Sequence, residues 1–152
     1  MQNTKKKLWV QVWGALIVAF GTSVVIVASV KNPSKADSEI HLIQMTTDMD
    51  SALTAGGVVD SVYSNAKFGG ALLIKNIKAE SWVPSLPETY EVLLLVRGWK
   101  RKDSTMKEGI LLCKNGMLAR IDTTPSIDAS HGTPRSVYGF AMSFSLRIQK
   151  EC

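Results

Sequence analysis

IDASHG at residues 127–132 sets Asp128, Ser130 and His131 within four positions, the side-chain types of an orienting carboxylate, a nucleophile and a general base. Neighbouring side chains point in different directions, and a triad is built by geometry rather than adjacency, so the run reads as a polar loop. The second histidine, His41, lies in a different region. Glu88 and Glu91 flank Tyr90 near the start of an expected strand, where a solvated edge accounts for them. GxSxG, P-loop, GxGxxG and HExxH patterns do not occur. Catalysis is therefore not expected, and neither is a metal or an organic cofactor.

The two cysteines, Cys113 and Cys152, have no CxxC or Cys/His spacing that suggests zinc. In an oxidising compartment they are more naturally a disulfide. In a reducing one, Cys113 sits in an apolar strand beside Ile110, Leu111 and Leu112, and Cys152 is a free thiol at the chain end. The choice depends on the compartment, and that is set by the first 32 residues.

KKKLWVQVWGALIVAFGTSVVIVASVKN, residues 5–32, places three lysines before 23 uncharged residues. As a helix, residues 8–30 reach about 34 Å, enough to cross a hydrocarbon core. A cleaved signal peptide has a shorter apolar core, so a retained anchor is the expectation. Trp9 and Trp13 fit an aromatic interfacial belt, and Lys5, Lys6 and Lys7 fit its charged flank. Only Lys31 and Lys35 follow closely, beside Asp37 and Glu39, so the positive-inside bias puts the N-terminus in the cytoplasm. The expected organisation is a basic cytoplasmic tail (1–7), a transmembrane helix (8–30), a linker (31–37) and a periplasmic domain (38–152), in a single-pass protein of the bacterial inner membrane.

The net charge of +5 owes much to the tail: from Lys31 onward, 15 Lys and Arg face 13 Asp and Glu. Nucleic acid is not an expected partner of so balanced a domain. One basic cluster stands out, Lys100, Arg101 and Lys102, followed by Lys107. It reads as a solvated hairpin tip or as a docking patch for anionic lipid, glycan or an acidic partner. Trp82 and Trp99 read as core packing at strand ends or as a recognition surface. With the basic cluster they are the candidate partner-binding residues.

The elements that must position these side chains change type along the chain. Residues 38–55 carry Ile40, Leu42, Ile43, Met45, Met49 and Leu53 at helical spacing, ended by Gly56-Gly57. Strands are expected at 58–64, 71–80, 89–99, 108–115, 117–123 and 136–149, rich in β-branched and apolar residues. Asn115-Gly116 between two apolar runs is a type I′ hairpin signal. Phe140, Met142, Phe144, Leu146 and Ile148 alternate along the last strand. The fold class is α+β: one helix against an antiparallel sheet of five or six strands, able to curl into a partial barrel. Such a sheet can hold a small apolar ligand in its mouth, although nothing in the sequence calls for one.

SALTAGGVVDSVYSNAKFGGALLI (51–74), after an apolar helix and before a sheet with a cysteine at the chain end, resembles the type IVb pilins. That resemblance implies a helix-to-head junction and a C-terminal disulfide loop. The chain departs from the pilin pattern in having no acidic residue from Leu8 to Val30 and no prepilin-type leader pattern ahead of it. The plan of a basic tail, one span and a small β-rich exported domain is similar to that of the periplasmic companions of membrane-anchored transcription regulators. The expected function is that of a non-catalytic accessory subunit of an envelope complex, for secretion or pilus assembly, binding other membrane proteins and the lipid bilayer. The alternatives are a sensor companion and a pilin-like structural subunit.

Overall fold

The computed structural model describes residues 32–103, 109–129 and 133–152. The tail, the expected span and the anchors Lys5, Lys6, Lys7, Trp9 and Trp13 lie outside the described residues, as do Lys107, Ser130 and His131. Among the described residues no helix is long and apolar enough to cross a membrane. Residues Pro33–Cys152 form one unit.

Helix α1 (Lys35–Leu53) starts three residues earlier than its hydrophobic spacing suggests. The reason is a capping box: Ser34 Oγ accepts from the Asp37 backbone N–H at 3.1 Å, and Asp37 Oδ2 accepts from the Ser34 N–H at 3.2 Å. The helix stops before Gly56 and Gly57, both at positive φ, and a Cβ on Gly57 would come within 2.6 Å of Tyr90 Oη.

The strands are β1 (Val59–Lys67), β2 (Gly70–Lys78), β3 (Lys100–Arg101), β4 (Gly109–Lys114), β5 (Met117–Asp122), β6 (Ser126–Asp128) and β7 (Arg135–Ser145). All pairings are antiparallel, in the order β1-β2-β7-β5-β4-β3, with β6 taking up the side of β7 that β5 leaves. The described sheet has seven strands rather than five or six because β3 and β6 are too short to carry a periodic signal. It is open, with β1 and β3 at opposite edges, so the expected curl into a partial barrel is corrected. Asn115 (φ 49°) and Gly116 (φ 73°) join β4 to β5 as the hairpin signal required.

Two expected strands are corrected. Residues 89–99 lie mostly in helix α2 (Leu86–Val96), whose first turn holds Pro87. Leu86, Tyr90 and Leu94 are buried at steps of four, a helical stripe, while Val92, Leu95 and Val96 stay exposed. The last strand ends at Ser145, whose Oγ accepts from the Ile148 N–H at 3.3 Å and caps helix α3 (Leu146–Glu151). Leu146 and Ile148 are therefore helical.

Helices α1 and α2 bring Met45, Met49, Ala52, Tyr90 and Leu94 onto one face of the sheet. Leu73, Ile77, Leu112, Met117, Ala119, Ile121, Phe140, Met142 and Phe144 meet them there. Phe144 also stacks on His41 at a centroid distance of 3.6 Å. The Tyr90 hydroxyl donates to the Gly56 carbonyl at 2.5 Å, and burial pushes its pKa up to about 12. Tyr90→Phe should cost about 1 kcal/mol in urea denaturation at neutral pH. Because the folded pKa is raised, this tyrosine's contribution is complete below its unfolded value of about 10 and fades as pH rises through 12.

Cys113 and Cys152 are joined by a disulfide, S–S 2.03 Å, that fastens the end of α3 to β4.

Candidate functional site

Trp99 is core, not recognition surface: it is 2% exposed, and its Nε1–H donates to Asp48 Oδ2 at 2.9 Å. Asp48, on α1 with a fully buried side chain, also accepts from Arg97 Nε at 2.5 Å, Lys114 Nζ at 2.8 Å and Gln44 Nε2 at 3.0 Å. Burial alone would raise its pKa and is the largest single influence. The hydrogen bonds from Lys114, Arg97, Trp99 and Gln44 together outweigh it and hold the carboxyl below the usual carboxylate range. Trp82 is half-buried, stacked on Tyr138 at 4.1 Å and edge-on to Tyr90 at 6.0 Å. Within the basic cluster, Arg101 Nη1 donates to both oxygens of Glu91, at 3.0 and 2.9 Å, and Lys102 Nζ lies 3.6 Å from Glu151. Lys100 is exposed. Of the five candidates, the two tryptophans are engaged in packing, Arg101 and Lys102 in ion pairs, and Lys100 is exposed; buried Trp99 shares no open face with its basic neighbours.

The surface that the sequence did not single out is the β1 edge. Among the described residues β1 pairs only with β2, on one side, and along its nine residues Val62 and Tyr63 are 58% and 52% exposed. Folded proteins usually blunt such an edge with charge, bulges or brevity. β3, the opposite edge, is two residues long and basic. β1 has a bulge between Val59 and Ser61 and charges only at Asp60 and Lys67, so its middle is unguarded. Beside it an open groove of about 410 Å³ is lined by Tyr63, Asn65, Phe68, Leu72, Ser143 and the turn glycines. The hairpin that forms this wall is tied to the base of α1, since the Gly69 N–H donates to the Pro33 carbonyl at 2.9 Å. Sequence pattern marks a strand here, but whether a strand lies at an edge is a property of topology.

At the other end of β1 is a polar cluster. Asn76 Nδ2 donates to Asp128 Oδ2 and to Ser61 Oγ, both at 3.0 Å. Asp128 is thus engaged by the sheet, while the Ser130 and His131 of the IDASHG run lie outside the described residues. Asp60, with its side chain 3% exposed, accepts from Arg135 Nη1 at 2.8 Å through Oδ1. Its Oδ2 is buried and has no hydrogen-bond partner among the described residues. Leaving such an acceptor unsatisfied costs about 1–3 kcal/mol, and more when it is charged. Asp60 borders a pocket of about 190 Å³ with Lys78, Glu80, Arg135, Ser136 and Val137. Among the described residues no group of three or more His, Cys, Asp or Glu side chains is placed to hold a metal ion.

Compared with known proteins, the chain matches no family model, no curated protein and no solved structure.

Proposed function

We propose that this chain is a non-catalytic accessory subunit of a bacterial envelope complex, for secretion or pilus assembly. Residues 8–30 anchor it in the inner membrane, and its C-terminal domain works in the periplasm by binding a partner protein at the β1 edge. The observation that carries the reading is a nine-residue edge strand, apolar at its centre and without the usual protection, beside a groove lined by Tyr63, Phe68 and Leu72. Addition of a partner strand there satisfies a row of backbone groups, and the groove supplies a place for its side chains. The Cys113–Cys152 bridge supports an oxidising compartment for the domain.

The inequality of the two edges favours a second form of this function. A subunit that touches several proteins would use several docking faces, whereas here one edge is long and the other is two residues. One dominant strand partner is what a sensor companion of a membrane-anchored regulator requires.

Photo-crosslinking in cells from probes at Tyr63 and Phe68, with Arg101 as the comparison site, tests the proposal. A single strong adduct from Tyr63 on β1 and from Phe68 in the turn that follows it supports edge docking, and its identity separates regulator from assembly component. With the probe at Phe68, the paired change Val62→Lys and Tyr63→Lys should abolish the adduct while shifting domain stability by no more than about 0.5 kcal/mol, because both side chains are exposed. Adducts from Arg101 with none from Tyr63 or Phe68 would remove β1 as the docking edge.

A further inference from the structure

We propose that the pocket at the start of β1 binds a small zwitterion of the α-amino acid class, with its ammonium on Asp60 Oδ2 and its carboxylate on Lys78 and Arg135. Buried polar atoms are nearly always hydrogen-bonded, so an orphan carboxylate oxygen calls for a donor. Among the described residues Asp60 Oδ2 has no such donor, and Asp60 borders a pocket. The charged groups around that pocket are Asp60 and Glu80 against Lys78 and Arg135, two of each sign. A net cation or anion gains on one pair and loses on the other, while a zwitterion meets both. At about 190 Å³ the space is below the 300–1,000 Å³ range typical of drug-sized ligands, which limits the guest to a few heavy atoms.

The bulge between Val59 and Ser61 is what places Asp60 here, against Arg135 at the start of β7. Oδ2 is buried, so the ammonium reaches it only as Arg135, 46% exposed on its side chain and bonded to the neighbouring Oδ1, turns toward the ligand carboxylate. An ammonium then takes the vacant acceptor in a charge-assisted hydrogen bond. The site is independent of the edge-strand docking proposed above, and either can fail without the other.

The test is an NMR titration of the full chain in detergent micelles, following the amides of Lys78, Glu80, Ser136 and Val137. The probes are L-alanine, ethylamine and propionate. L-Alanine is expected to give saturable shifts confined to these amides, with a dissociation constant at or below about 1 mM. Ethylamine and propionate, each carrying one of the two charges, should bind at least about tenfold more weakly. Asp60→Asn should weaken L-alanine by about tenfold or more. Because Asp60→Asn also disturbs a buried ion pair, Lys78→Gln on the exposed side of the pocket provides the second arm. It should weaken L-alanine severalfold and leave ethylamine unchanged. Shifts that do not saturate, that are equal for all three probes, or that survive Asp60→Asn at unchanged affinity would each overturn the proposal.

Discussion

Asp48→Ala is expected to destabilise the domain by about 3–5 kcal/mol, the range for breaking a buried ion pair from one side. The carboxylate is the single acceptor at which four donors converge, Gln44 on its own helix and three from two other parts of the fold: Arg97 and Trp99 after α2, and Lys114 at the end of β4. Removing it leaves the Trp99 indole N–H orphaned in the core and two cations facing each other, with Lys114 only 16% exposed. Against a total stability of order 5–15 kcal/mol this is a large share. Asp48→Asn keeps the shape and one acceptor and should cost less than alanine. The pH dependence has a definite sign. A folded-state pKa below the unfolded value means that Asp48 stabilises fully above about pH 4 and loses that contribution as pH falls through its lowered folded value. Urea denaturation at pH 7 and at pH 3 should therefore show a steeper acid loss for the parent than for Asp48→Asn. A cost below about 1 kcal/mol for the alanine variant, or equal acid slopes, would show that the network is not the fastener its geometry implies.

Trp99 shows how much of this arrangement could be read in advance. Its neighbours Lys100, Arg101 and Lys102 mark a surface turn, and by composition the tryptophan belongs with them. Gly98 at φ 85° reverses the chain after α2 and turns the indole inward to Asp48, a partner 51 positions away. Long-range placement of that kind leaves no trace in local spacing. The error over 89–99 has the same origin. VLLLV, residues 92–96, is an apolar run of five without clear period, and its β-branched content favours a strand. What decided for helix was Pro87 in the first turn and the burial of Leu86, Tyr90 and Leu94 against the sheet, with Val92, Leu95 and Val96 left outside. Where punctuation was local, the chain was legible. The glycines at 56 and 57 and the Asn115-Gly116 turn act within a few residues, and the elements they bound end and join where spacing put them, while the capping pair Ser34 and Asp37 starts α1 three residues ahead of its apolar spacing. The candidate sites were the least legible part. The openness of the β1 edge and the orphan oxygen of Asp60 exist only once strands 1, 2 and 7 are side by side.

Reduction of the Cys113–Cys152 bridge should lower stability by about 4 kcal/mol on the chain-entropy account, since the closed loop spans a sequence separation of 39. For a domain of this size that is a fall in Tm on the order of 10 °C. The loss has a local component as well. Helix α3 is six residues, too short to be stable alone, and its ion pairs, Arg147 with Glu151 and Lys102 with Glu151, are exposed enough to contribute little. Its position against β5 and β7 therefore depends on the bridge and on the Ser145 cap. Without the bridge the helix should fray first, before the sheet opens. Thermal melts with and without reductant, on the parent and on the paired Cys113→Ala and Cys152→Ala variant, separate the effects. The parent should drop to near the variant's Tm when reduced, and the variant should ignore the reductant. Hydrogen exchange in the reduced protein should show early loss of protection over residues 146–151 while residues 139–145 stay protected. If the parent loses less than about 2 °C, the core meeting α1 and α2 carries the domain alone and the bridge adds little to its stability.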